Sequence, residues 1–307
     1  MMGTEFNMKK IMVIINPKAG KESSRIIRKQ LLSHLNKYFD DIKIKITKKA
    51  GDAELFAEQA AQNKYEAICS VGGDGTVNEI FHGIVNQSHR PKVAIIPSGT
   101  GNLLAKVLGI SAIRSWAIKS FEFDKTKFID IGLCNDRVFN LFASIGPIPE
   151  AMHETTIEDK KSFGLWAYLR PSMENLVASE EYDLDIKTDS GNYQGKVDHL
   201  VISITNKLGS LVFTKENQSM SNGKANLFVL KDRNFFPRLA TLSSALAGNV
   251  EKVEQIEHCI ASHISIASLD DQEIFIDLDG EKGPALPVEI QILQQQIEVY
   301  LPNTYKD

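Results

Sequence analysis

The sequence predicts two architectures in series, an N-terminal α/β domain built on a parallel sheet and a C-terminal domain of antiparallel β-strands. Up to Ile110, short continuous apolar runs alternate with stretches whose apolar residues recur at helical spacing. Beyond Ile110 most apolar segments read as strands joined by tight turns. The length of 307 residues also exceeds what one core usually holds. The expected boundaries are residues 8–128 for the first domain and 129–295 for the second.

Composition narrows the classes. With 43% hydrophobic and 24% charged residues the chain is an ordinary globular one. Cys69, Cys134 and Cys259 lie far apart, which suggests neither a disulfide framework nor a zinc site and fits a reducing cytoplasm. No apolar run approaches the roughly 18 residues of a membrane span, and no signal peptide opens the chain, so any membrane contact is expected to be peripheral. Met1–Asn7 reads as an added or frayed tail ahead of Met8. Net charge is −4, yet the segment from Lys9 to Ala50 carries +9 and the remainder −13. That basic segment could attract a polyphosphate or an anionic membrane, or be only the solvated face of one helix and one strand. Nucleic acid is not favoured, because the chain as a whole is acidic and has no recognition motif.

Taken in order, Ile11–Ile15 reads as a strand buried on both faces. It ends in Asn16-Pro17-Lys18-Ala19-Gly20, after which Ile27, Leu31 and Leu35 trace a helix. Ile42, Ile44 and Ile46 alternate with Lys43 and Lys45, a strand with one wet face ending at Thr47, and Ala53–Gln62 supplies the next helix. Tyr65–Val71 is again a buried strand, and it runs through Gly72-Gly73-Asp74-Gly75-Thr76-Val77-Asn78-Glu79 into a helix marked by Val77, Ile80, Phe81 and Ile84. Glycines there remove the Cβ atoms that would hold a ligand off, and a helix start offers free N–H groups to an anion. Asp74 would repel bare phosphate, so a Mg²⁺-nucleotide suits the turn better; an ordinary capping role is the alternative. Lys92–Pro97 is the fourth strand, followed by Ser98-Gly99-Thr100-Gly101-Asn102 and a helix over Leu103–Leu108. In a parallel sheet the loops after Ile15, Val71 and Pro97 share the ligand-binding edge. The P-loop and dinucleotide fingerprints are absent from all three.

A short helix capped by Ser111 is expected to run to about Ser120. Strands are then expected at Phe128–Cys134, Val138–Ile145, Asp183–Thr188, Lys196–Thr205, Asn226–Leu230, His263–Ser268 and Glu273–Leu278, with turns at Asn135-Asp136 and Ser190-Gly191. His153–Ser162 reads as a polar loop and Phe163–Leu176 as partly helical. In Lys231–Leu239 bases flank Phe235 and Phe236, which could touch a bilayer or tuck into the core.

The chain resembles the diacylglycerol kinase catalytic domain family of bacterial lipid kinases, related to sphingosine and ceramide kinases and more distantly to NAD kinase. The resemblance rests on Asn16-Pro17 to Gly20, Gly72 to Glu79, Pro97 to Asn102, Ile129-Asp130-Ile131-Gly132 and Asp279-Gly280-Glu281, in that order. It implies a two-domain kinase with ATP and Mg²⁺ in the cleft, a β-sandwich supplying the lipid pocket, and a last strand, Ile297–Leu301 within residues 296–305, returning to the first domain. Carried over by motif, Asn16, Thr47, Gly73, Asp74, Gly75, Thr76, Glu79 and Thr100 would contact ATP or its metal, within loops that also include Pro17, Lys18, Ala19, Gly20, Val77, Asn78 and Asn102. Lys18 could neutralise phosphate or be only solvated. Asp74 is the expected metal organiser.

Phosphoryl transfer also needs a base near the acceptor hydroxyl. By the resemblance Glu281 is the proton acceptor with Asp279 beside it, although Asp-Gly is also a strong hairpin signal. Asp130 could orient the acceptor hydroxyl or the metal, or be a buried acid satisfied by backbone. Two positions depart from the family pattern: Leu103 follows Asn102 where an acid is common, and Asn222-Gly223 stands where some relatives hold a structural Mg²⁺ with Asp-Gly. No histidine pair has metal-ligand spacing, and an EF-hand at Asp277 fails because its twelfth position is Val288. The expected activity is phosphorylation of a neutral lipid, diacylglycerol first, at the inner face of the membrane, with a homodimer possible. The alternatives are a sphingoid or other lipid acceptor, NAD, or a non-catalytic lipid- or nucleotide-binding protein.

Overall fold

The computed structural model describes residues 8–19, 25–146, 181–208, 211–212, 220–231 and 256–305. The expectations for 1–7, Gly20, 153–176 and 232–239 lie outside the described residues. The chain forms two compact units, Met1–Ile129 with Gln296–Asp307, and Asp130–Gln295.

In the first unit, β1 (Lys10–Ile15), α1 (Arg25–Leu35), β2 (Asp41–Ile46), α2 (Asp52–Gln62), β3 (Ala67–Gly72), α3 (Asp74–Val85), β4 (Lys92–Pro97), α4 (Leu103–Val107) and α5 (Arg114–Ser120) follow one another. The strands pair in parallel in the order β2-β1-β3-β4. β1, β3 and β4 are central and buried almost throughout, as their unbroken apolar runs require, while β2 at the edge keeps Lys43 exposed. The buried face of α2 consists of Ala53, Ala57, Ala60 and Ala61, which lets α3 approach closely. A Cβ on Gly83 of α3 would stand 2.4 Å from the Glu54 carbonyl oxygen. α5 starts later than Ser111 suggested: the Ser111 hydroxyl accepts the Ile113 N–H at 3.2 Å, which makes a turn ahead of the helix rather than its cap.

The second unit continues with β5 (Thr126–Cys134), which enters it at Asp130, then β6 (Arg137–Phe139), β7 (Phe142–Ile145), β8 (Tyr182–Thr188), β9 (Asn192–Val197), β10 (His199–Ser203), β11 (Lys207–Leu208), β12 (Leu211–Val212), β13 (Ala225–Leu230), β14 (Ile256–Ala261), β15 (His263–Ser268), β16 (Phe275–Leu278), β17 (Glu281–Ala285) and β18 (Val288–Tyr300). β15 pairs antiparallel with β18 and β8, and β8 with β9, while a second antiparallel sheet runs β14-β13-β10-β7-β16-β17. Leu184, Ile186, Ile264 and Ile290 of the first sheet share one core with Leu200, Ile202, Leu227 and Ile276 of the second, so the unit is a β-sandwich. β18 then runs into the first unit, where Val299 pairs in parallel with Val93 of β4.

Two runs that read as single strands are each divided. Residues 196–205 change sheets at Asp198, because Val197 pairs with Tyr182 of β8 whereas His199–Ser203 pairs with β13. Residues 138–145 break at Asn140-Leu141, whose N–H groups turn to a carboxylate instead of a neighbouring strand. β14 and β17 carry no clear strand signal; β17 reads Glu-Lys-Gly-Pro-Ala and is strand only because a hairpin aligns it with β16.

Asp130 is fully buried, and backbone satisfies it: Oδ1 accepts the Gln295 N–H at 2.7 Å and Oδ2 the Gly223 N–H at 2.6 Å. Burial pushes its pKa up, against the pull of these N–H groups. His199 is also buried, with a Cβ on Gly146 calculated to lie 3.0 Å from its ring, and desolvation lowers its pKa from 6.5 to about 4. An imidazole that resists protonation in the folded state favours unfolding as pH falls from its unfolded toward its folded pKa. Between pH 7 and about pH 4 the wild type should therefore lose up to about 3 kcal/mol that His199→Phe retains. Urea-unfolding midpoints across that range check this, and parallel profiles for the two proteins would refute it.

Candidate active site

The strand order of the first unit reverses between β1 and β3, and open parallel sheets bind ligands at the carboxyl ends beside such a reversal. Asn16, directly after β1, ties the two strands' loops together. Its N–H donates to the Val71 carbonyl at 2.9 Å, its Nδ2 donates to Thr76 Oγ1 at 3.0 Å, and its Oδ1 accepts the Lys18 N–H at 3.0 Å. Thr47, after β2, donates its N–H to the Ile15 carbonyl at 2.9 Å. Pro17, Lys18 and Thr100 are exposed, Ala19, Gly75 and Asn78 half-buried, and Val77 belongs to the core.

The turns after β3 and β4 meet backbone to backbone. A Cβ on Gly99 would stand 2.7 Å from the Gly73 Cα, and one on Gly101 would stand 2.9 Å from Asp74 Oδ2. Asn102 adopts a left-handed φ of 47° and folds its amide back, Oδ1 accepting the Gly99 N–H at 2.9 Å and Nδ2 donating to the Gly99 carbonyl at 2.6 Å. Asp74, the first residue of α3, accepts the Leu104 N–H at 3.4 Å, with the Leu103 and Asn102 N–H groups also turned toward it. It thereby caps α4. Burial raises its pKa, and those N–H groups and Lys106 oppose the rise. Glu79 performs a similar service for α2, its Oε2 accepting the Ala53 N–H at 3.0 Å where the N-cap is Gly51 and has no side chain to offer.

Beside these loops lies an opening of about 130 Å³ with apolar walls from Ile15, Ile27, Leu31 and Ile46. Arg28, Arg114 and Ser98 also line it, and the buried Ser98 hydroxyl has no hydrogen-bond partner among the described residues. Sequence reasoning missed these three. Arg28 sits in a charge-rich helix and Arg114 in a short one, and no spacing singles out either; Ser98 opens the Ser98–Asn102 loop expected to face a polyphosphate, but its hydroxyl had no role of its own. Two guanidinium groups and a hydroxyl along one opening are a set whose chemistry suits an anion.

In the second unit Asp279 and Gly280 form the hairpin turn between β16 and β17, with φ of 54° and 92°. The Asp279 carboxylate accepts the N–H groups of Asn140, Leu141 and Phe142 at 2.5, 2.9 and 2.9 Å. Asp277 accepts the Gly280 N–H at 2.7 Å, and burial raises its pKa, with Glu281 adding to the rise. Glu281 opens β17 and is exposed. Asn222 Oδ1 accepts the Lys224 N–H at 3.1 Å. Among the described residues no three His, Cys, Asp or Glu side chains gather as a metal site. A single carboxylate such as Asp74 fits a cation that arrives on phosphate oxygens, not one held in an all-protein cage.

Comparison with known proteins bears on the family and the fold. The family model for the diacylglycerol kinase catalytic domain matches residues 10–134. A Streptococcus pneumoniae serotype 4 protein named "Putative lipid kinase" is 41% identical, over 95% of this chain and 98% of its own. A Staphylococcus aureus protein named "Diacylglycerol kinase" is 30% identical over 96% of this chain and 93% of its own. Among solved structures, a "putative diacylglycerol kinase from Bacillus anthracis str. Sterne" superposes with a TM-score of 0.81 at 26% identity, covering 98% of this chain and 99% of that one. The chain belongs to the diacylglycerol kinase catalytic domain family.

Proposed function

We propose that this lipid kinase transfers the γ-phosphoryl group of ATP to a hydroxyl of a neutral lipid, diacylglycerol giving phosphatidic acid. The observation that carries the reading is the backbone contact of Gly73 with Gly99 at the carboxyl ends of β3 and β4, beside the opening that holds Arg28, Arg114 and Ser98. Loops without Cβ atoms let a polyphosphate approach main-chain N–H groups, and nearby guanidinium groups offset its charge. The name of the Staphylococcus aureus relative supports diacylglycerol as acceptor.

In this reading the loops at Asn16–Gly20, Gly73–Glu79 and Ser98–Asn102 hold the nucleotide, Thr47 borders it, and Asp74 supplies the protein's ligand to Mg²⁺. When bound, that ion would offset the negative charge of the phosphates. Glu281 accepts the proton as the lipid oxygen forms its bond to phosphorus and the bond to the ADP oxygen breaks. Asp279 positions Glu281 by holding the hairpin to the link between β6 and β7. Asn222 is left as a turn residue. No helix among the described residues is long and apolar enough to cross a membrane; in this reading the acceptor is reached from the membrane surface.

Mass spectrometry of lipids incubated with Mg-ATP tests the acceptor, the expected gain being one phosphate on diacylglycerol. Glu281→Gln should lower kcat by at least about a hundredfold with ATP affinity nearly unchanged; wild-type turnover in that variant would refute the assignment. Asp74→Asn, which keeps the shape of the α4 cap, should weaken Mg-ATP binding by calorimetry about tenfold or more while the melting temperature stays near wild type. Gly99→Ala forces the two turns apart and should cost about 1–3 kcal/mol of stability together with nucleotide affinity. Normal ATP binding by that variant would show that the glycine contact does not shape the site.

A further inference from the structure

We infer that the exposed stripe of α5 is the surface by which this protein docks onto an anionic bilayer, an inference that rests on a lipid being the acceptor. Ile113, Trp116 and Lys119 recur every third residue and are all exposed, whereas Ala117 and Ile118 between them are buried. Trp116 is 66% exposed and Ile113 55%, the two highest values among the large exposed apolar side chains described. An exposed tryptophan on a helix and an exposed isoleucine at its N-cap, with a lysine one turn on, have the chemistry of an interfacial anchor. The apolar groups enter the headgroup boundary, and the ammonium group stays with the phosphates.

Charge on the neighbouring elements points to the same partner. α5 packs against α1. α1 lies within the segment from Lys9 to Ala50, which carries +9 in a chain of net charge −4. The acids nearest in sequence, Glu122 and Asp124, follow the helix, and Glu122 Oε1 accepts a hydrogen bond from Asn303 Nδ2 at 3.3 Å. A basic element carrying exposed apolar side chains matches an anionic lipid surface better than it matches itself, since a two-fold dimer through α5 would set like charges against each other.

The test is co-sedimentation of the full chain with phosphatidylglycerol–phosphatidylcholine vesicles and with pure phosphatidylcholine vesicles. The wild type should favour the anionic vesicles and release them as salt rises. Replacing both Ile113→Ser and Trp116→Ser should weaken vesicle binding about tenfold or more. Leu55→Ser, which removes an exposed apolar group of α2, should leave it unchanged. Turnover of the double variant should match wild type on acceptor in detergent micelles and fall on acceptor in vesicles. Vesicle binding that ignores the double substitution overturns the inference, as does a wild type that binds no anionic vesicles. A wild-type dimer that the double substitution dissociates in analytical ultracentrifugation, with vesicle binding intact, also overturns it by making the stripe a protein interface. Trp116-dependent vesicle binding by a protein that phosphorylates no lipid would support the surface and overturn the kinase reading.

Discussion

The first unit is arranged around the contact between Gly73 and Gly99. With the Gly99 Cβ position only 2.7 Å from the Gly73 Cα, the turns after β3 and β4 are as close as backbones can come without side chains. That closeness places Asp74 against Gly101 and within reach of the N–H groups that start α4. It also sets the Asn102 amide around Gly99, which in turn fixes the left-handed backbone at Asn102. The parallel pairing of β3 with β4 delivers the two turns to the same edge, and the glycines decide how near they come.

A second theme is the use of carboxylates as acceptors for main-chain N–H groups at places where regular pairing stops. Asp74 caps α4, Glu79 caps α2, Asp130 joins β5 to Gly223 and Gln295, and Asp279 gathers three consecutive N–H groups at the break between β6 and β7. Hydrogen bonds to a charged group are worth about 1.5–3 kcal/mol each, more than ordinary ones, and a buried N–H left bare costs a comparable amount. The motif acids therefore hold turns in shape whatever else they do. A residue of this kind can be required for activity through the loop it shapes.

This dual use explains what could be read from the sequence and what could not. The four parallel strands and the main helices of the first unit follow from continuous apolar runs in β1, β3 and β4, alternation in β2 and helical spacing, signals that local burial writes directly into the chain. The changes of partner at Asp198 and Asn140 were hidden because one or two polar residues inside a mostly apolar run do not tell whether the strand continues, moves to another sheet or turns its N–H groups to Asp279. β17 was hidden for the opposite reason: tertiary pairing imposes a strand on Glu-Lys-Gly-Pro-Ala. At the candidate site the glycine turns were legible because so few residues tolerate that geometry. Arg28 and Arg114 were not, since a cation on a helix looks the same in sequence whether it faces water or a ligand. The interplay of Asn16 with Thr76 spans sixty positions and leaves no local trace.

The hairpin at Asp279 shows how the two readings of one motif combine. Asp-Gly there is a hairpin turn, and both residues take the left-handed backbone that such a turn needs. Asp279 is then committed to the N–H groups of residues 140–142, so taking up a proton would weaken bonds that hold β6 and β7 in place. Glu281 has no such commitment in sequence position or exposure: it is the first residue of β17, directly opposite Leu278, with its side chain in solvent. If one of these two acids exchanges a proton with an acceptor hydroxyl, the geometry favours Glu281 and leaves Asp279 to fix where that carboxylate stands. A sequence motif that spells a turn in this way also fixes which of its acids is tied to main chain and which is left exposed.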